Sequence, residues 1–252
     1  MATRRNRPRY GAADVLNAAL YGPLLWPGRT VRLERNSMLD YRNRPTSSQI
    51  SVAELYHENS KLSVEMLPEL VFTSVSPTEL RGEFLRRRAA LARTAAADQF
   101  DGAKLWRDLL DAVGAQYLDL FYAIEVRVVS GNVVAAYEPA GSVFQLIGRL
   151  DGPQRARLES SLWLGSAGDG PGDAESLLFL VAVFPRNEIL YGQRGYRRTL
   201  IEAGQIAEAV LRRAAQTGHR ATVRHEFADR DIDLIMEADG VEQSTVLAIA
   251  FG

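Results

Sequence analysis

Cysteine is absent from the 252 residues, and histidine occurs only as His57, His219 and His225. The first absence excludes disulfides, thiolate metal sites and a cysteine nucleophile, and accords with a reducing compartment. The second leaves no histidine pair at metalloprotease spacing, so no zinc centre is expected. Net charge is missing as well. The 30 Lys and Arg against 31 Asp and Glu leave −1, which gives no whole-chain attraction to nucleic acid or to an anionic membrane. No apolar run reaches the length of a membrane span. The basic start Arg4-Arg5-Asn6-Arg7-Pro8-Arg9 is not followed by the apolar core and small-residue cleavage site of a secretion signal. A soluble, cytoplasmic chain is the expectation, with no nucleic-acid or membrane partner.

What is present is an ordinary globular allotment, 46% hydrophobic residues, enough for one large domain or two small ones. After the basic, proline-interrupted arm, a short helical pattern over 12–20 and strand-like residues around 30–39 make a small mixed region. Ser76-Pro77-Thr78-Glu79 has the form of a helix start, and the helix it opens is expected to reach about 97. That helix carries Arg86, Arg87, Arg88 and Arg93, a cationic cluster that reads either as a solvated face or as an anion site. A second amphipathic helix is expected over 101–113, with Gly114 as its stop. The period then changes. Strands are expected over 121–129, 133–137 and 143–147 across short turns, then a helix from Gly152-Pro153 to 163. The stretch 165–173 is rich in glycine and aspartate but lacks the Lys-Ser/Thr of a phosphate-binding loop.

The best-marked region follows. An apolar run over 177–184 reads as a buried strand, and Tyr191-Gly192-Gln193-Arg194-Gly195-Tyr196-Arg197-Arg198 reads as a cationic loop. Thr199 and Glu202 have capping-box spacing, which places a helix start at Thr199, with Leu200, Ala203, Ala207, Val210, Leu211 and Ala214 along one face. Arg194, Arg197 and Arg198 beside that start suit a phosphate or carboxylate. The same loop also reads as a solvated stretch whose arginines pair with surface carboxylates, and composition leaves both readings open. A strand over 221–227, a short helix over 229–236 and a strand over 245–251 complete an α+β pattern, a mixed sheet with flanking helices.

These residues carry a resemblance. Tyr191 to Arg197, then Leu200-Ile201-Glu202-Ala203-Gly204 and the final Leu247 to Gly252, resemble flavin-dependent dehydrogenases of the SagB/McbC type. Tyr56 to Leu62 resembles the segment that precedes the core of the same proteins, and Phe121 to Val129 with Tyr137-Glu138-Pro139 resembles their paired central strands. The resemblance implies a nitroreductase-like domain over 66–252, preceded by an arm and extension over 1–65. It implies oxidation of thiazolines and oxazolines in a ribosomally made precursor peptide, and a homodimer or a heterodimer with a related subunit. It implies FMN, held by Arg87, Arg88 and Arg93 and by backbone at Ala203 and Gly204. Arg194 and Arg197 join that cofactor set, and Tyr191 takes the catalytic role of proton transfer. The physical logic agrees, since a phosphate dianion suits guanidinium groups and glycine lets a flavin approach the backbone.

The chain also departs from the family pattern. Leu190-Tyr191 stands where azoline oxidases have Lys-Tyr, no serine lies between Arg87 and Arg93, and Ala209 replaces an expected asparagine. These departures open a second reading: a catalytically degenerate, flavin-free subunit that binds a partner dehydrogenase, a cyclodehydratase or the precursor peptide.

Overall fold

A computed structural model describes residues 76–94, 103–162 and 176–252. The expected arm and extension over 1–65 and the loop over 165–173 lie outside the described residues. Two helices come first, α1 (Pro77–Thr94) and α2 (Ala103–Tyr117), then a 3-10 turn (Leu118–Tyr122). The strands β1 (Ile124–Ser130), β2 (Val133–Glu138) and β3 (Val143–Arg149) follow as two hairpins. Then come α3 (Gly152–Leu162), β4 (Ser176–Val183), α4 (Phe184–Tyr191), α5 (Arg194–Gln216), β5 (Ala221–Arg224), α6 (Asp229–Ile235) and β6 (Gln243–Phe251).

The apolar run of β4 explains the layers. Its eight residues are all buried, as a strand covered on both faces requires. Because side chains alternate along a strand, Leu178, Leu180 and Ala182 face one core with α1, α2, α4 and α5. Leu177, Phe179 and Val181 face a second core with Leu158 and Leu162 of α3 and Ile232 and Met236 of the α6 end. The sheet runs β3-β2-β1-β4-β6-β5, and all five ladders between described strands are antiparallel. The architecture is the expected α+β. The β1–β2 turn uses Gly131 at φ 57°, a conformation that favours glycine.

Three local expectations are corrected. Gly114 does not stop α2, which continues to Tyr117 with Gly114 beside Pro139 of the β2–β3 turn. The stretch 121–123 is no strand, because Leu118–Tyr122 wind into a 3-10 turn that buries Leu120, Phe121 and Tyr122. The helix expected to begin at Thr199 begins at Arg194, after α4 has already formed over what reads in sequence as strand end and loop. A three-residue spacing marks a capping box, but it also marks one face of a helix interior. Thr199 and Glu202 are the second case, both buried within α5.

Two glycines make the α4–α5 joint. Gly192 ends α4 at φ 58°, its N–H donating to the Glu188 carbonyl at 2.7 Å. Gly195 lets the first turn of α5 lie directly on α4, where a Cβ would overlap the Asn187 carbonyl carbon and the Glu188 amide nitrogen. Exposed Gly204, by contrast, has no atom within 4 Å of where a Cβ would stand. Gly195→Ala should therefore destabilise the fold by about 1–3 kcal/mol. Gly204→Ala should stabilise it by about 0.5–1 kcal/mol through helix propensity. Urea unfolding of both variants checks the pair, and equal effects would contradict this account of the joint.

Candidate active-site cleft

The motif that reads as a loop is a helix face. Arg194, Arg197, Arg198, Ile201, Glu202 and Gln205 recur at the three- and four-residue intervals that align side chains along one side of α5. With Leu190 and Tyr191 of α4 and Leu120 of the 3-10 turn they line a cavity of about 540 Å³, within the range of small-molecule sites. Its floor is apolar at buried Leu120 and Leu190, and Ile201, 61% exposed, stands at its edge. Its rim is cationic.

Beneath the rim lies a buried polar node that sequence reasoning did not identify. Arg81 of α1 has a side chain only 4% exposed and donates to Glu202 Oε1 at 2.7 Å, Asn187 Oδ1 at 2.6 Å and the Asp119 carbonyl at 3.2 Å. Asn187 donates in turn to Glu202 Oε2 at 2.7 Å and Thr199 Oγ1 at 2.9 Å, and Thr199 donates to the Gly195 carbonyl at 2.9 Å. Arg198 Nε closes the set with Glu202 Oε1 at 2.8 Å. Two guanidiniums also attend Tyr191, Arg198 at 4.4 Å from the ring centroid and Arg81 at 5.6 Å, a favourable meeting of cation and π-face. The signal in sequence was Arg81 itself, a charge set into the apolar stripe of Leu80, Phe84 and Leu85. A buried charge is seldom left unpaired, and its partners lie far along the chain.

The cluster on α1 is placed differently. Arg87 is exposed and pairs with Glu83 at 2.7 Å. Arg88 reaches inward, 2.7 Å from Glu138 and 3.1 Å from Glu125, and its side chain is 19% exposed. Buried Arg186 donates to Glu125 at 2.6 Å and to the Tyr122 carbonyl at 3.2 Å, while Arg127 reaches Glu125 at 2.7 Å. Burial opposes the charge of Glu125, but Arg88, then Arg186 and Arg127, outweigh it and hold that carboxyl well below the ordinary range. Burial raises the Glu138 carboxyl, and Arg88 offsets this only in part. Arg93 lies in α1, with its side chain outside the described residues. Neither Arg87 nor Arg88 lines the cleft, so the structure brings together Tyr191, Arg194 and Arg197 from the expected set and leaves Arg87 and Arg88 apart. Ala203 is buried in the core on another side of α5, whereas Gly204 is open to solvent.

FMN suits the cleft in some respects and the α1 cluster in fewer. Arg194 has no polar partner among the described residues and Arg197 stands beside it, an arrangement matched to a phosphate above an apolar floor that can receive a ring. At α1, Glu83, Glu125 and Glu138 already oppose Arg87 and Arg88.

The inner cluster makes stability depend on pH in a stated direction. Glu138, its folded value raised, contributes stability below the unfolded carboxylate range and loses it as pH rises through that value. Glu125, its value depressed, contributes above the ordinary range and loses this only as pH falls through its folded value. Removing Arg88 takes from both ionised carboxylates a charge that offsets their burial, a loss felt at neutral and alkaline pH. Arg88→Met should cost about 3 kcal/mol at pH 8 and clearly less at pH 5, as read by urea unfolding at the two pH values. A penalty that is flat with pH would contradict the assignment.

No family model and no curated protein matches the chain. Among solved structures it is similar to a chain of the E. coli microcin synthetase McbBCD complex with truncated pro-MccB17 bound. The identity is 18% and the TM-score 0.51, over 84% of this chain and 85% of that one. It is also similar to a candidate nitroreductase from Anabaena variabilis, at 18% identity and TM-score 0.51, over 81% of this chain but only 46% of the other. At this identity the likeness speaks to the fold: the chain has a nitroreductase-like α+β fold.

Proposed function

We propose that the chain is a flavin-dependent dehydrogenase acting on thiazoline or oxazoline rings of a ribosomally synthesised peptide. The observation that carries this reading is the cleft itself, where Tyr191 stands at an apolar floor under a rim of three arginines. Oxidising an azoline to an azole removes a hydride and a proton, and FMN, when bound, supplies the hydride acceptor. Arg194 and Arg197 are the groups here that oppose a phosphate. Arginine stays charged at any working pH, and Glu202 is held by Arg81 and Asn187. Tyr191 is therefore the lining group left to relay the proton. Similarity to a chain from a synthetase complex with a bound pro-peptide supports a peptide substrate and partner subunits.

One observation favours the second reading, a flavin-free subunit that docks a partner enzyme or the precursor peptide. The charges of Arg87 and Arg88 are matched by internal carboxylates, and Leu190 occupies the place of the lysine in the resembled Lys-Tyr pair.

The visible absorption spectrum of purified protein, followed by FMN titration, separates the two. A dehydrogenase should take up FMN stoichiometrically, and Tyr191→Phe should then lower kcat by about 10²–10⁴-fold with FMN affinity kept. Colourless protein that ignores added FMN and co-purifies with a second dehydrogenase would leave the partner-subunit reading standing.

A further inference from the structure

Three arginines share the rim of the cleft, but they are not held alike. Arg81, below them, has three acceptors and is sealed from solvent. Arg198 has a side chain 44% exposed and is engaged through Nε alone, while its two terminal nitrogens have no partner among the described residues. The carboxylate it touches does not depend on it. Glu202 takes Arg81 on one oxygen and Asn187 on the other, so departure of Arg198 leaves no buried charge unpaired. Arg198 is also one of three arginines within five residues on a single helix face, a grouping that suits an oxyanion entering the cleft. Meanwhile its guanidinium covers the Tyr191 ring at 4.4 Å.

We infer that Arg198 is a releasable cover over Tyr191. An oxyanion, phosphate or carboxylate, bound at the rim exchanges for Glu202 as the partner of Arg198, swings the guanidinium off the tyrosine ring and opens the ring to the cleft. Arg198 is thus a positioning residue: it acts on the chemistry through Tyr191 and couples anion occupancy to exposure of that side chain. The inference rests on the cleft being the reactive site, as proposed above. It does not require that the anion be a flavin phosphate.

The test is the rate of Tyr191 nitration by tetranitromethane in the flavin-free full chain, mapped by peptide mass spectrometry. It is run in chloride, inorganic pyrophosphate or malonate at equal ionic strength, with Tyr196 as internal reference. In the native chain, pyrophosphate or malonate should accelerate nitration of Tyr191 several-fold over chloride while Tyr196 stays constant. The stronger of the two names the ligand as phosphate or carboxylate. Arg198→Gln, which removes a half-exposed side chain and should leave thermal unfolding unchanged, should nitrate Tyr191 fast in chloride and lose the oxyanion effect. Arg194→Gln should need more oxyanion for the same acceleration. Nitration indifferent to oxyanions in the native chain, or unchanged in chloride by Arg198→Gln, would overturn the inference. Because the experiment contains no flavin, a failure to bind FMN would sink the dehydrogenase reading and leave this result to be judged separately.

Discussion

The carboxylate of Glu202 is the constraint on which the rest of this structure depends. It is almost wholly buried within α5, and it is satisfied only where α1 delivers Arg81 and α4 delivers Asn187. Taking such ions out of water costs several kcal/mol each, so the node stabilises the fold only if each partner arrives in register. Turning α5 by one residue, about 100°, would carry Glu202 away from both partners and leave buried charge. Arg81 also reaches the Asp119 carbonyl, so α1, the 3-10 turn, α4 and α5 are tied at one point. The cleft is the outer side of that tie.

Two devices keep the tie compact. Gly195 allows α5 to start in backbone contact with α4, and Thr199 and Asn187 fill the seam with matched hydrogen bonds. The sheet supplies the platform, since β4 is buried on both faces and presents one set of alternating side chains to the helices that bear the cleft. A site built on helix faces packed in this way is held by its supporting shell, and its outer arginines are left able to respond to what enters.

The two cationic clusters look alike in sequence and differ in kind. The one on α1 divides into an exposed pair at Arg87 and an inward arm at Arg88, whose charge is consumed by Glu125 and Glu138 from adjacent strands. The one on α5 lines a cavity together with the apolar side chains of Leu120 and Leu190. Spacing along a helix says which side chains share a face. Whether that face meets solvent, a carboxylate or a ligand is decided by what packs against it.

Much of the fold is legible in the order of the residues. The apolar run of β4, the hairpins about Gly131 and Gly141, the apolar stripe of α5 and the resemblance around Tyr191 together indicate a nitroreductase-like α+β sheet with flanking helices. Periodicity records burial, and burial follows from the repeat of each element. The sequence by itself also determined what is absent, since no thiol chemistry is open to a chain without cysteine. Only the tertiary structure decided that Thr199 and Glu202 are interior residues, that Gly114 lies within a helix and that Arg81 organises the cleft. The reason is common to all three. A capping box, a stop glycine and a charge in an apolar stripe each have two local meanings, and the partner that selects between them comes from a distant part of the chain.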